Sequence, residues 1–269
     1  MGTELTLVVF VLSGVAAGFF AGLFGIGGGL IMVPVLVYAF KTTGIASEHI
    51  VAVALGTSMA AIVFSAAQSA YGHFRRGSTS IEMIRSVVPW VIVGVAFGSA
   101  VASKTPEIPL LVFVACFQFF AAALMIIDVS KLGTVHTVAQ GSFALKASSL
   151  VFGGVAALAG IGGGTLFTPY FKAAGMDPKV AIGTSAAIGL PLSLAGAVSY
   201  AWDGRHVALG PWMVGYINLP AMVALIAGTL LTVRLGVAVA HWLPSRVLAG
   251  SFSVFLVING AHLLHSALT

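Results

Sequence analysis

Eight long apolar stretches occupy most of this 269-residue chain and limit what it can fold into. A helix needs about 20 apolar residues to cross a bilayer, so most of the stretches suffice for one crossing. The first and the fifth stretches are too long for one crossing and rather short for two crossings. The eight stretches are Leu5–Phe40, Ile50–Tyr71, Val87–Ser103, Pro109–Ile127, Phe143–Phe171, Val180–Trp202, Val207–Val233 and Val247–Leu264.

The scarcity of charge supports the same fold class. Only 7% of the residues are charged, whereas soluble domains carry about 25%, so the chain cannot cover a soluble surface. The connections between stretches are short and leave no room for a soluble catalytic domain. We therefore predict an all-α integral membrane protein that crosses the cell membrane several times, with the lipid bilayer as its main surroundings.

Several sequence landmarks occur twice, in the same order. The run Gly25–Gly29 (GIGGG) recurs as Gly160–Gly164, and each run is followed five residues later by a proline. The triplet GTS at 56–58 recurs at 183–185. We interpret this as an internal duplication, with residues 1–130 as the first membrane repeat, 131–141 as a connecting loop and 142–269 as the second repeat. Each repeat opens with a glycine-broken or re-entrant helix.

Loop charges favour inverted halves. If each glycine-interrupted segment folds back on itself, nine basic residues share one side: Arg75, Arg76, Arg85, Lys131, Lys146, Lys172, Lys179, Arg234 and Arg246. Only Lys41, Lys104 and Arg205 lie on the other side. A segment that crosses only once gives an even division and parallel halves. Because basic residues accumulate on the cytoplasmic side, we predict inverted repeats with the nine-residue side inside.

The glycine runs are the candidate binding site. Four glycines in five residues cannot continue a stable helix, because each glycine costs about 1 kcal/mol relative to alanine. A helix that starts after such a break presents unpaired N–H groups and a positive dipole end, which together attract an anion without any charged side chain. In inverted halves the two breaks can face each other near the midplane. Neither run precedes Lys-Ser or Lys-Thr, so they are not nucleotide loops.

Hydroxyl side chains near the breaks are further candidates. Thr57, Ser58, Thr184 and Ser185 lie in apolar stretches, where they can donate to an oxoanion or bond to their own helix backbone. The triplet Gly14, Gly18 and Gly22 has the spacing of a close-packed helix face, and we interpret it as packing.

The residues missing from the apolar stretches exclude other functions. All seven acidic residues lie at stretch ends or in loops, whereas cation pumps and proton relays place carboxylates inside the membrane. The histidines do not form a metal-binding motif, and Cys116 is the only cysteine. We predict no metal, no cofactor, no nucleic-acid partner and no enzymatic activity. The sequence makes no prediction about oligomeric state.

These paired motifs resemble those of the TauE/SafE family of sulfite exporters over essentially the whole chain. The resemblance rests on the glycine run that opens each half, its following proline, the GTS triplet and the doubled layout. It implies a transporter of small sulfur-containing anions such as sulfite or organosulfonates. Carried over by position, it implies one set of substrate-binding residues in each half, with Thr165 standing where the first half has Leu30. The full set is Gly25, Gly27, Gly28, Gly29, Thr57, Ser58, Gly160, Gly162, Gly163, Gly164, Thr165, Thr184 and Ser185.

Our hypothesis is a secondary transporter, in the direction of export, that binds a small sulfur-containing anion between the two glycine breaks. No nucleotide motif is present, so ions or the membrane potential would drive it. The alternative is a passive channel for small oxoanions. A subunit that helps another complex assemble is a further possibility.

Overall fold

A computed structural model describes residues 3–24, 27–41, 47–127, 141–240 and 245–268. Ten α-helices make up nearly all of the described part: α1 Thr3–Phe24, α2 Gly29–Phe40, α3 Ile50–Arg75, α4 Ile81–Ala102, α5 Glu107–Ile126, α6 Phe143–Ala159, α7 Gly164–Ala173, α8 Pro178–Asp203, α9 Leu219–Ala240 and α10 Ser245–Leu268. A 3₁₀ turn covers Ser47–His49, and a small antiparallel hairpin pairs β1 (Met213–Val214) with β2 (Ile217–Asn218). The all-helical prediction is confirmed.

The helices are long because the sequence offers apolar residues without interruption. Five described helices, α3, α4, α5, α8 and α9, have the length and hydropathy to cross a bilayer individually. Polar caps fix several starts. The hydroxyl of Ser142 accepts from the Leu145 N–H, and Asp177 accepts from the Lys179 and Val180 N–H groups. One prediction needs correction: the stretch Val207–Val233 begins with the β1–β2 hairpin, because glycines at 210 and 215 adopt positive φ and turn the chain there.

The first glycine-interrupted stretch folds back on itself. Gly28 lies beside Ala17 of α1, with 3.1 Å between the Ala17 Cβ and a Cβ built on Gly28. A continuous helix would hold these residues about 16 Å apart. The rings of Phe10 and Phe40 are also neighbours, with centroids 5.8 Å apart. Helices α1 and α2 therefore form an antiparallel hairpin.

The second interrupted stretch is built in the same way. The Phe152 ring of α6 meets the Phe167 ring of α7 at 5.3 Å. Four residues earlier in α6, the hydroxyl of Ser148 donates to the hydroxyl of Tyr170 at 3.0 Å. The earlier residue of α6 contacts the later residue of α7, so the two helices run in opposite directions and form an antiparallel hairpin. Each of the two longest predicted stretches is thus two helices and not one.

Helices α3 and α8, which carry the two GTS triplets, pack against each other in opposite directions. Gly56 contacts Tyr200, Met59 contacts Gly196, and Ala66 lies 3.8 Å from a Cβ built on Gly189. Helix α3 is the centre of the molecule, since every residue from Ile50 to Ile62 is buried.

Helices α5 and α10 are also antiparallel. The hydroxyl of Ser253 donates to the Ala122 carbonyl at 3.1 Å. A Cβ built on Gly260 would lie 3.2 Å from the carbonyl oxygen of Ala115.

Two further contacts join helices of the predicted first and second repeats. Helix α1 packs on α9, and α6 packs on α4. Gly14 and Gly18 press directly on the α9 backbone, while Gly94 and Gly98 press on the α6 backbone. Side chains larger than hydrogen would separate these helices, which confirms the packing interpretation of Gly14 and Gly18.

Candidate anion site at the two glycine breaks

The two glycine breaks meet at the centre of the helix bundle. A Cβ built on Gly27 would lie 3.2 Å from the Cα of Gly162, and Gly29 lies directly against the carbonyl oxygen of Gly160. Gly27 and Gly28 have φ of 78° and 81°, values that residues with side chains rarely adopt. Only glycine satisfies both the backbone angles and the close approach. The expectation that the breaks face each other is met.

Both breaks lie about halfway along the two longest helices. Gly27 faces Ile62 of α3, with 3.3 Å between the Ile62 Cγ2 and a Cβ built on the glycine. Gly163 faces Gly189 of α8, and a Cβ on Gly189 would lie 3.4 Å from the Gly163 nitrogen. Because α3 and α8 are candidate spans, the breaks are at the depth where a transporter holds its substrate.

A small cavity lies between the breaks. It has a volume of about 10 Å³ and is lined by glycine, alanine and serine, with one larger side chain: Ala21, Gly27, Ile62, Ser65, Ala66, Ser69, Gly162, Gly163, Gly164, Ala186 and Gly189. That volume corresponds to roughly one water molecule. Among the residues that the structure describes, no charged side chain lines the cavity. In this conformation the site is closed to a sulfur oxoanion.

Backbone dipoles supply the electrostatics of this cavity. Helices α2 and α7 begin at Gly29 and Gly164, and the first N–H groups of a helix have no partner inside it. The carbonyl of Gly28 accepts from the Ile31 and Met32 N–H groups, and the carbonyl of Gly163 accepts from the Phe167 N–H. The helical hydrogen bonds of α2 and α7 therefore begin at the glycine breaks themselves. The positive end of α7 therefore lies at the cavity, and α2 begins two residues after Gly27, which also lines it.

The hydroxyls of the two GTS triplets are fully buried and bonded within the protein. Ser58 donates to the Gly160 carbonyl at 2.9 Å, and Ser185 donates to the Ala181 carbonyl at 2.7 Å. Thr57 and Thr184 accept backbone hydrogen bonds. None of the four lines the cavity. Of the four, only Ser58 bonds to a glycine break; Ser185 bonds within its own helix, and the two threonines bond to the residues that start α9 and α4.

The predicted glycines divide into two groups, with Gly25 outside the described residues. Gly27, Gly162, Gly163 and Gly164 line the cavity. Gly28, Gly29 and Gly160 make the close backbone contacts around it. Thr165 follows Gly164 and is 4% exposed.

Two serines that line the cavity were not predicted from the sequence. Ser65 and Ser69 share one face of α3 with Ile62 and Ala66, at the helical spacing i, i+3, i+4 and i+7. The Ser65 hydroxyl lies 3.0 Å from the Ile62 carbonyl and 3.3 Å from the Gly27 carbonyl. Helical periodicity continued from the GTS triplet would have indicated both.

Titratable side chains lie outside this cavity. Tyr216, in the β1–β2 hairpin, is buried, and its pKa is raised by that burial and then by the nearby Asp203 and Glu48 carboxylates. Among the described residues, no group of three or more His, Cys, Asp or Glu side chains is placed to hold a metal ion.

Comparison with known proteins identifies the family. A family model described as "Sulfite exporter TauE/SafE" matches residues 10–263. The chain belongs to the TauE/SafE sulfite exporter family. It is 34% identical over 254 residues to a "probable membrane transporter protein" of Haemophilus influenzae, covering 94% of this chain and 96% of that protein.

More distant relatives carry similar descriptions. The probable membrane transporter YunE of Bacillus subtilis is 22% identical, over 98% of this chain and 99% of its own length. The relative MJ0441 of Methanocaldococcus jannaschii, also a probable membrane transporter, is 24% identical over 97% of this chain and 96% of its own length. No solved structure matches. The family and these relatives are membrane transporters and not enzymes, and the chain is a multi-pass membrane protein.

Proposed function

We propose that this chain is a secondary transporter that carries a small sulfur-containing anion, such as sulfite, thiosulfate or an organosulfonate, between two inverted halves. The observation that carries the proposal is the contact between the two glycine breaks, Gly27 with Gly162 and Gly29 with Gly160. Two helix starts that converge on one uncharged cavity can bind an anion where the bilayer excludes charged side chains.

The inverted arrangement is supported by helix directions. Both glycine-interrupted stretches fold back, so each half contains five helices. The equivalent pair α3 and α8 runs antiparallel, as the contacts Gly56 with Tyr200 and Met59 with Gly196 indicate. With consecutive helices alternating, the nine basic residues named above fall on one side, against Lys41, Lys104 and Arg205; Lys131 lies outside the described residues. Such a bias favours the nine-residue side as cytoplasmic.

A closed cavity is expected of a carrier in its occluded state. A volume of about 10 Å³ cannot pass a sulfur oxoanion, so the breaks must separate for the anion to enter. In a carrier, one hairpin moves relative to the other and opens the site to one side at a time. A passive oxoanion channel would require a continuous open path in its conducting state.

The family description supports the sulfur anion and the direction of export. Sulfite and thiosulfate are compact anions with several acceptor oxygens, which suits a site made of backbone N–H donors. Ser65 and Ser69 add two hydroxyls to the cavity wall.

Counterflow in proteoliposomes tests the proposal. Vesicles loaded with unlabelled thiosulfate should accumulate external radiolabelled thiosulfate transiently, and sulfite or an organosulfonate inside should support the same exchange. Saturable counterflow is expected of a carrier. Unitary currents without counterflow would indicate the channel instead, and no flux of any sulfur anion would remove the proposed substrate class.

A further inference from the structure

Helices α3 and α8 meet along one seam that passes through the central cavity. A Cβ built on Gly196 would lie 3.0 Å from the Met59 side chain. A Cβ built on Gly189 would lie 3.8 Å from the Ala66 Cβ. Each step forward along α3 therefore matches an equal step backward along α8. Ile62, between Met59 and Ala66, lines the cavity, as Gly189 does. From the cavity the seam continues toward both sides of the molecule.

One end of the seam carries basic residues. Arg76 comes ten residues after Ala66, and Lys179 comes ten residues before Gly189. The antiparallel register therefore places Arg76 and Lys179 at the same level, and both are exposed. Their cationic side chains make this end of the seam attractive to small anions.

The opposite end of the seam carries carboxylates. Asp203 is the last residue of α8. The pKa of Tyr216 is raised by burial and then by Asp203 and Glu48, so both carboxylates lie near that ring. Arg205 lies over the Trp202 ring at 4.0 Å and donates to the Trp202 carbonyl. Two carboxylates against one arginine leave this end of the seam negative.

The two ends also differ in packing. Toward the carboxylates, Met59 covers Gly196, and a Cβ built on Gly56 would lie 2.9 Å from the Tyr200 Cβ. Met59 and Tyr200 are fully buried, so large side chains close this end. Toward the basic residues, a Cβ built on Gly72 would have no neighbour within 4 Å in the described part of the chain, apart from the backbone of its own helix. The seam is packed at one end and open at the other.

The open end is connected to the cavity by one face of α3. Exposure increases along this face, because Ser65 is buried, Ser69 and Gly72 are half-buried, and Arg76 is exposed. These residues follow one another at the helical spacing i, i+4, i+7 and i+11, and both serines line the cavity. The face points away from the lipid side of α3, which is marked by three exposed aromatic residues: Phe64, Tyr71 and Phe74.

A buried amide beside this face lacks part of its hydrogen bonding. The side-chain oxygen of Gln68 is buried and has no partner. Gln68 comes three residues after Ser65 and four before Gly72, so it is next to both on the helix surface. An orphaned polar atom in a native protein calls for an explanation such as water that enters the space. Water that accompanies an anion along this face would supply the missing donor.

We propose that a small anion reaches the cavity along this face of α3. Arg76 and Lys179 collect the anion at the entrance, and the opposite end of the seam stays closed by Met59 and Tyr200. The inference rests on the proposed function and adds an entry side to it. Arg76 and Lys179 lie on the side proposed as cytoplasmic, so the anion loads from the compartment that export empties.

Reaction of introduced cysteines with charged methanethiosulfonates tests the route without any transported anion. In a Cys116→Ser background, Gly72→Cys and Ser199→Cys place thiols ten residues beyond Ile62 and Gly189, toward the basic and the acidic end. The purified protein in neutral detergent reacts with an anionic sulfonatoethyl reagent or a cationic trimethylammonium reagent, and each rate is divided by the rate with free cysteine. The ratio of the two cancels any change in the reactivity of the thiol itself.

We expect Gly72→Cys to favour the anionic reagent by roughly fivefold, the factor for one charge pair near contact in water. Ser69→Cys, a nearly isosteric change deeper along the face, should show the same preference. Ser199→Cys should react slowly and favour the cationic reagent. Replacing both Arg76 and Lys179 by glutamine should bring the ratio at Gly72→Cys close to one, and so should high ionic strength.

Rates that are equal, or that favour the cation, at both Gly72→Cys and Ser69→Cys would overturn the proposal. No reaction at either cysteine would overturn it too, as would an equal anion preference at Ser199→Cys. Melting midpoints show that each variant is folded. Anion-selective labelling without sulfur-anion flux would keep the route and reject the proposed substrate, whereas flux with unselective labelling would keep the transporter and reject the route.

Discussion

The backbone N–H of Asn218 donates a 3.0 Å hydrogen bond to the hydroxyl oxygen of Thr57. The N–H of Ser80 donates to Thr184 in the same way, also at 3.0 Å. Ser80 and Asn218 each cap the start of a helix, α4 and α9, with their own side chains. Each GTS threonine therefore fastens the start of a helix that belongs to the other predicted repeat.

Replacing Thr57 by valine should destabilise the protein. The change removes the acceptor of the half-buried Asn218 N–H, which costs about 0.5–1.5 kcal/mol. Thr57→Ser keeps the oxygen and should stay close to the wild type. The midpoint of thermal unfolding in detergent measures the stability of both variants. A valine variant as stable as the serine variant would show that this bond does not hold the halves together.

The pair Gln118 and Pro34 should be energetically coupled. Gln118→Leu removes the donor to the Leu30 carbonyl, a carbonyl that is free because Pro34 has no N–H. Pro34→Ala restores a backbone donor to the same carbonyl. The cost of Gln118→Leu should thus be smaller in the Pro34→Ala background, with a coupling of about 0.5–3 kcal/mol in a double-mutant cycle. If the two substitutions change the free energy of unfolding additively, the Gln118 side chain does not replace the backbone donor that Pro34 lacks.

Side-specific labelling tests the inverted arrangement. In a Cys116→Ser background, Lys41→Cys at the end of α2 and Lys179→Cys at the start of α8 should react with an impermeant maleimide from opposite faces of sealed vesicles. Five helices in each half place these positions on opposite sides. Labelling of both from the same face requires parallel halves and would reject the proposed topology.

Much of the fold could be predicted from the sequence because a bilayer demands long apolar helices and leaves few alternatives. The repeated glycine runs indicated where both long stretches break. The direction of the chain after each break depended on contacts such as Gly28 with Ala17, which are tertiary and leave no local pattern. The β1–β2 hairpin was missed because its flanking residues are as apolar as those of a span.

The candidate site was only partly predictable. The described glycines of both runs form the cavity and its close contacts, as their unusual composition indicated. Hydroxyls are harder to assign, because a serine in an apolar helix looks the same whether it lines a cavity, as Ser65 does, or bonds to a carbonyl behind it, as Ser58 does. The donor to the freed Leu30 carbonyl comes from a residue 88 positions away, which no sequence spacing reveals.

The most direct test of the account is the affinity of Gly189→Ala for thiosulfate and sulfite, measured by equilibrium binding to the purified protein. The new methyl carbon would lie 3.4 Å from the Gly163 nitrogen at ordinary contact distance, and it would occupy a cavity of about 10 Å³. The fold should therefore survive while the cavity is filled.

Gly154→Ala is the matched control, because its methyl meets the Gly94 carbonyl oxygen at the same 3.4 Å, away from the cavity lining. We predict at least about tenfold weaker anion binding in Gly189→Ala, equivalent to about 1.4 kcal/mol, with an unchanged melting midpoint and unchanged affinity in Gly154→Ala. Wild-type affinity in Gly189→Ala, or no binding by the wild type, would contradict an anion site between the two glycine breaks.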